Sequence, residues 1–394
     1  MNRRRLFTAL ALVSAGMLVN AAPAGAATKI TCGQVITVNT TLANDLHDCH
    51  TNGLVIGADN VTLDLNGHTI DGDGRSDTDG VEAFGHDGVT VRNGVVQQFA
   101  VGVALLKGSR LSATDLTLTN HRHVGVFADT VHGLTVQRVN ASSIAFPGIF
   151  ATRSSDAQIT GNTVRRSGGG IVVSATTRAA VTGNQLTRIG CIGIEVFGAT
   201  TYSLFDGNTV TGGGCEALVL ADGSSNNAVT RNTFTGNDGG IGLLEADDNV
   251  LSGNVIRHNH FSGTYVAGAS GNRLDGNVLA DNGEGSEGGI HVGPDGSTLA
   301  RGNSLTRNTI TGSIGDGILV DAGSPSTMLD RNISNDNSDD GIDVDEPTTT
   351  LRANQASNNG DLGIEAVAGV ADAGGNLATG NGDRRQCTHV ACGS

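Results

Sequence analysis

The 394-residue sequence predicts an all-β solenoid, a parallel β-helix of about 13–14 coils. Three observations carry that reading. The stretch ITGNTVRRSGGGIVV at 159–173 returns as VTGNQLTRIGCIGIEV at 181–196, and variants of it recur along most of the chain. A short small-apolar-x-apolar run follows each turn, as in Gly170-Ile171-Val172-Val173, Gly193-Ile194-Glu195-Val196 and Gly317-Ile318-Leu319-Val320. The composition holds 59 Gly, 5 Pro, 2 Tyr and no Trp, which suits sharp turns and short β-branched strands and leaves little helix former.

Taken from the start, residues 1–26 read as a secretory signal. Arg3, Arg4 and Arg5 precede an apolar run from Leu6 to Val19, and Ala24-Gly25-Ala26 supplies a small-residue cleavage site. The arginines also suit a twin-arginine route. No later segment holds the roughly 20 apolar residues that crossing a bilayer needs, so a secreted, extracellular, monomeric protein without a transmembrane segment is expected. The net charge of −15 excludes nucleic acid as a partner, because phosphate backbones reward basic patches.

Six cysteines in an exported chain favour disulfides, with a zinc site as the competing reading. Spacing groups them as Cys32 with Cys49, Cys191 with Cys215 and Cys387 with Cys392. The middle pair is separated by one repeat, which would place its sulfurs on neighbouring coils. The outer pairs suit caps over the open ends of a rod, so residues 27–60 and 377–394 are expected to be disulfide-stapled terminal caps flanking a helix at 61–376.

The repeat can be aligned on turn residues Asn66, Asn93, Asp115, Asn140, Asn162, Asn184, Asn208, Asn232, Asn254, Asn277, Asn308, Asn332, Asn354 and Asn376. At about 4.8 Å per coil these fourteen positions span a rod of about 65 Å. Asn tolerates the left-handed backbone and can hydrogen-bond its counterpart one coil away, so these residues read as a structural ladder. Strand alternation then sorts inside from outside. An inward column runs from Val81 through Ile171 and Ile241 to Ile364. The outward column beside it contains Glu82, Phe127, Phe150, Glu195, Tyr265, His291, Asp343 and Glu365, and a second outward column contains Asp321 and Asp345.

The block VTLDLNGHTIDGDG at 61–74, followed by GNxxxxNxxxGIxV coils, resembles the right-handed parallel β-helix superfamily, in particular NosD-like periplasmic proteins and, more distantly, pectate lyases and alginate epimerases. The resemblance covers about residues 54–380 and implies a single-stranded right-handed parallel β-helix. It is nearly silent on function, because the same coils host lyases, hydrolases, epimerases and adhesins. The Asp-Pro-His element typical of alginate epimerases is not found, nor an Arg set over a carboxylate cluster as in pectate lyases.

Chemistry on such a rod is expected on an outward strand face. Asp343 with Glu365, and Asp321 with Asp345, should lie on adjacent coils about 5 Å apart, so each pair must share a proton or a cation. The readings are an acid and nucleophile pair at Asp343 and Glu365, and a Ca²⁺ site at Asp321 and Asp345. Tyr265 and His291 stand beside them as proton-transfer groups. Phe127, Phe150 and Glu195 are expected to bind substrate. The bland reading treats the acidic residues as a solubilising face. Together these point to a secreted protein that binds, and cleaves or epimerises, a polysaccharide. The alternative is a non-catalytic NosD-like scaffold. His121, His123, His258 and His260 read as exposed loop histidines, and the loop DGDGRSDTDG at 71–80 as a weak Ca²⁺ candidate. The long coil after Asn277 brings Glu284 and Glu287 toward the acidic end.

Overall fold

In the computed structural model, residues 29–75, 77–283 and 288–393 are described. The expected export segment, and Glu284 and Glu287, lie outside them. One fifteen-stranded parallel sheet runs the length of the molecule, from Gln34–Ile36 to Ile364–Ala366. Fifteen strands exceed the expected coil number because the first two, Gln34–Ile36 and Leu54–Ile56, fall inside the stretch read as an N-terminal cap.

A representative coil places Gly169–Ser174 in this sheet, then turns through Ala180–Thr182 and Gln185–Thr187, which belong to two further stacked walls. Each strand pairs in parallel with its equivalents on the neighbouring coils. Register is set by the pleat: a one-residue slip would turn every apolar residue outward. The register therefore follows the inward column without interruption, Ile171 opposite Ile194, Ile194 opposite Leu218 and Ile342 opposite Ile364. Val81, Ile171, Ile194 and Ile364 are fully buried, and Thr264 is the polar member of that column.

Buried asparagines stack at the corners. Asn208 donates its amide to Val181 O at 2.8 Å and to Asn232 Oδ1 at 3.0 Å, while its own Oδ1 accepts the Asn184 backbone N–H. The ladder runs from Asn162 to Asn376. It differs from the expectation in two ways. Asn66, Asn93 and Asp115 themselves take the left-handed backbone, with φ of 52°, 60° and 55°, and lie outside the ladder. Asn140 lies one residue out of the ladder, opposite Thr163, and Val139 donates its N–H to Asn162. In the ladder itself the left-handed backbone is supplied by the preceding residue, such as Gly161, Gly183 or Arg231. The turn thus divides the two tasks between neighbours. Two further ladders, Asn227-Asn249-Asn272-Asn303 and Asn237-Asn259-Asn282, line other corners.

All three expected disulfides are present, Cys32–Cys49, Cys191–Cys215 and Cys387–Cys392, so a zinc reading of these thiols is excluded. Cys191 and Cys215 bridge neighbouring coils with Cα atoms 4.5 Å apart. At the far end Cys387 and Thr388 pair with the edge of Ile364–Ala366, closing a strand that would otherwise offer free hydrogen-bonding groups. Among the described residues no helix is long and apolar enough to cross a membrane.

Candidate functional site

The outward column is continuous. Phe127 pairs with Phe150, Glu195 lies between Val172 and Val219, Tyr265 pairs with His291, and Leu319, Asp343 and Glu365 follow on successive strands. Because strands stack in register, residues 22 to 28 apart in sequence become side-by-side neighbours on one face.

Its first part is an apolar groove. The Phe127 and Phe150 rings lie 5.6 Å apart, and Phe146 stacks on His123 at 5.9 Å. One cavity of about 400 Å³ opens between Asp79 and Phe150, and another of about 290 Å³ between His123 and Phe197, with Glu195 in its wall. Burial holds Glu195 above the usual carboxylate range, with Asp222 adding repulsion. At the other end burial, with Glu82 and Asp77 nearby, pushes Asp79 up to about 6. A further cavity of about 270 Å³ runs from Glu216 past Phe261 to Tyr265.

Tyr265 is the junction with the acidic end. Its ring lies 5.0 Å from that of His291, and His291 Nε2 is 2.7 Å from Asp321 Oδ2. Gly293 makes room for this pair, since a β-carbon there would stand 2.8 Å from the Asp321 carboxylate. His291 Nδ1 is buried and finds no hydrogen-bond partner among the described residues. Asp321 is therefore engaged with the imidazole, whereas Asp345 is exposed and one coil further on.

The dense carboxylate cluster lies at the start of the last strands, where Asp316 and Asp340 of the preceding corner meet Asp343 and Glu365 of the same outward column. Carboxylate oxygens of Asp340, Asp343 and Glu365, and separately of Asp316, Asp339 and Asp340, come within 4.8 Å of one another. Among the described residues these are the groups of three whose oxygens lie close enough together to share a cation. Burial pushes Asp343 up to about 7, reinforced by Asp316, Asp345, Glu365 and Asp321. Burial likewise takes Asp316 to about 6, although its carboxylate accepts the Asp340 N–H at 3.0 Å. Asp340 is raised above the ordinary range by burial and by sharing a hydrogen bond with Glu365, despite accepting the Leu362 N–H. Such a group cannot ionise fully near neutrality; it holds protons that it can deliver.

Asp316 and Asp340 escape a reading of strand alternation because they precede the strands, at the corner. Their signal is the recurrence of Asp-Gly-Ile at 316–318 and 340–342, one coil apart. The described C-terminal segment pairs with the last strand's edge and leaves Glu365 exposed.

Elsewhere the structure corrects one reading. His121 is buried, accepts the Phe99 N–H at Nδ1 and bonds Val96 O through Nε2. Burial lowers it to about 4, so it is a neutral core imidazole. In the loop at 71–80 three of the four carboxylates have partners: Asp71 accepts the amides of Gln97 and Gln98, Asp73 pairs with His50, and Asp77 with Arg122 and His123.

The family model described as a right handed beta helix region matches residues 32–186, 101–256, 180–324 and 243–388. The chain belongs to that family, and the parallel coils seen here are its fold. Solved structures similar to it include the A-module of an Azotobacter vinelandii mannuronan C-5 epimerase, at 15% identity and TM-score 0.47, covering 92% of this chain and 90% of that one. The catalytic domain of a GH87 alpha-1,3-glucanase is similar at 13% identity and TM-score 0.46, covering 92% and 63%. A periplasmic alginate epimerase is similar at 12% identity and TM-score 0.43, covering 88% and 78%. At these values the likenesses bear on neither substrate nor mechanism. No curated protein matches the sequence.

Proposed function

We propose that this protein is exported and, as a monomer, binds a polysaccharide along the outward strand face and cleaves it at the acidic end. The carrying observation is Asp343, raised to about 7 and in register with Glu365. A carboxyl titrating near neutrality is a proton donor to a glycosidic oxygen, and a neighbouring carboxylate is a nucleophile or electrostatic stabiliser. Their oxygens lie within 4.8 Å, closer than the about 6.5–9.5 Å that an inverting hydrolase needs for its water, which favours retention.

Phe127, Phe150 and Glu195 hold the sugar chain in the groove, and Tyr265 hands it to the reacting end. His291, pinned by Asp321, positions the floor of the site. A cluster of carboxylates on a chain of charge −15 repels uronates, so the substrate is a neutral glycan. Epimerisation of an acidic glycan would need Ca²⁺ across Asp340, Asp343 and Glu365 to offset that repulsion.

A panel of neutral glucans and uronate polymers, assayed for new reducing ends and for unsaturated uronates with and without Ca²⁺, tests this. Reducing ends from a neutral glycan, reduced at least about 100-fold in Asp343→Asn, are expected. Unsaturated or epimerised products only with Ca²⁺ would replace hydrolysis by uronate chemistry. No product and unaltered binding in Asp343→Asn would leave the NosD-like scaffold.

A further inference from the structure

A second site is written in the arginines of another wall. Nine arginines adopt the left-handed conformation that usually asks for Gly, Asn or Asp: Arg110, Arg138, Arg153, Arg166, Arg178, Arg188, Arg231, Arg307 and Arg331. Six of them pair with an aspartate, most one coil back, as Arg138 does with Asp115, Arg178 with Asp156 and Arg231 with Asp206. The corner conformation aims these side chains along the rod at the preceding coil, where the carboxylate waits.

At Arg166 and Arg188 the described residues supply no such partner. Arg165 pairs in register with Ser142 on one side and Thr187 on the other, so the left-handed position before Arg166 is Ser143, and the one before Arg188 is Arg166 itself. Among the described residues no carboxylate pairs with Arg165, Arg166 or Arg188. The three guanidinium groups line one cavity of about 370 Å³ with Thr163, Gln185 and Thr187. Like charges on adjacent coils repel, and they do so here in a chain whose net charge of −15 would readily have supplied an aspartate.

We propose that Arg165, Arg166 and Arg188 form a binding site for a tetrahedral oxyanion, a sulfate or phosphate group, free or carried as an ester on a small molecule. The group takes the place of the missing aspartate and accepts charge-assisted hydrogen bonds from two coils at once. Thr163, Thr187 and Gln185 supply further donors. The net charge of −15 on the whole chain disfavours a long polyanion and leaves a single compact group as the occupant. The site lies on the wall of Thr163–Arg165 and Gln185–Thr187, away from the acidic end, and does not depend on the polysaccharide reading.

Calorimetric titration of the full chain at constant ionic strength tests it, with inorganic phosphate, inorganic sulfate, glucose 6-phosphate, glucose 6-sulfate and glucose as probes. Saturable 1:1 binding of at least one anion with a Kd below about 1 mM is expected, at least tenfold weaker in Arg166→Gln/Arg188→Gln and unchanged in Arg231→Gln. Preference for the esters over the inorganic ions would mark a small-molecule source, and the reverse a free ion. Thermal melts confirm that the variants fold. Binding of none of the anions, equal binding by the double variant, or equal loss in Arg231→Gln would overturn the assignment.

Discussion

Replacing Asp343 by Asn should make the protein more stable at pH 8 and leave it nearly unchanged at about pH 3.5. In the folded state burial and four neighbouring carboxylates raise this group from 3.8 to about 7. The folded state therefore holds a proton that the unfolded chain releases near pH 4. Stability from this group is full below pH 4 and is lost as pH rises toward 7. A rise of that size corresponds to about 4 kcal/mol once the group is fully ionised. Asp343 is only half-buried, and solvent screening reduces this to about 2 kcal/mol. Asparagine keeps the shape of the protonated acid without the charge. Guanidinium denaturation at the two pH values reads the difference directly, with the wild type losing stability between them and the variant losing less. An identical offset at both pH values, or a variant destabilised at pH 8, would refute the reasoning. Together with loss of activity, the expected result marks a group held at an energetic cost to stability.

Three further outcomes follow from other parts of the rod. Asn208→Ala removes four buried hydrogen bonds and strands the Asn184 N–H and Val181 O, which should cost about 3–4 kcal/mol in urea denaturation. Gly293→Ala should separate His291 from Asp321, seen as loss of the His291 Nε2 hydrogen bond in the imidazole NMR signals, while the thermal midpoint moves little. His121 should remain neutral down to about pH 4 in the same spectra, and because its folded value is depressed, its contribution to stability is full above about pH 6.5 and lost as pH falls.

The fold was legible because the repeat makes residue spacing equivalent to neighbourhood. Ile171, Ile194 and Ile364, or Tyr265, His291 and Asp343, can be placed on the right face from alternation alone, since a strand has only two faces and burial chooses between them. Corners carry no such rule. There the chain turns through left-handed residues, and whether a side chain points to the core, the next coil or solvent depends on a few degrees of backbone. That is why Asn93 and Asn162, alike in the alignment, occupy different columns. For the same reason Asp316 and Asp340 join the carboxylate cluster from outside the strands.

By itself, then, the sequence determined the all-β solenoid, its parallel register, the three disulfides and the face on which ionisable residues gather, because each follows from periodicity along one dimension. The partner of each ionisable group was decided only in three dimensions: Asp321 for His291, Asp340 for Glu365, a dry core for His121, and, among the described residues, no carboxylate for Arg166 and Arg188. Protonation and ion pairing depend on distances of a few ångströms and on exclusion of water, and neither is encoded in spacing until the coils have stacked.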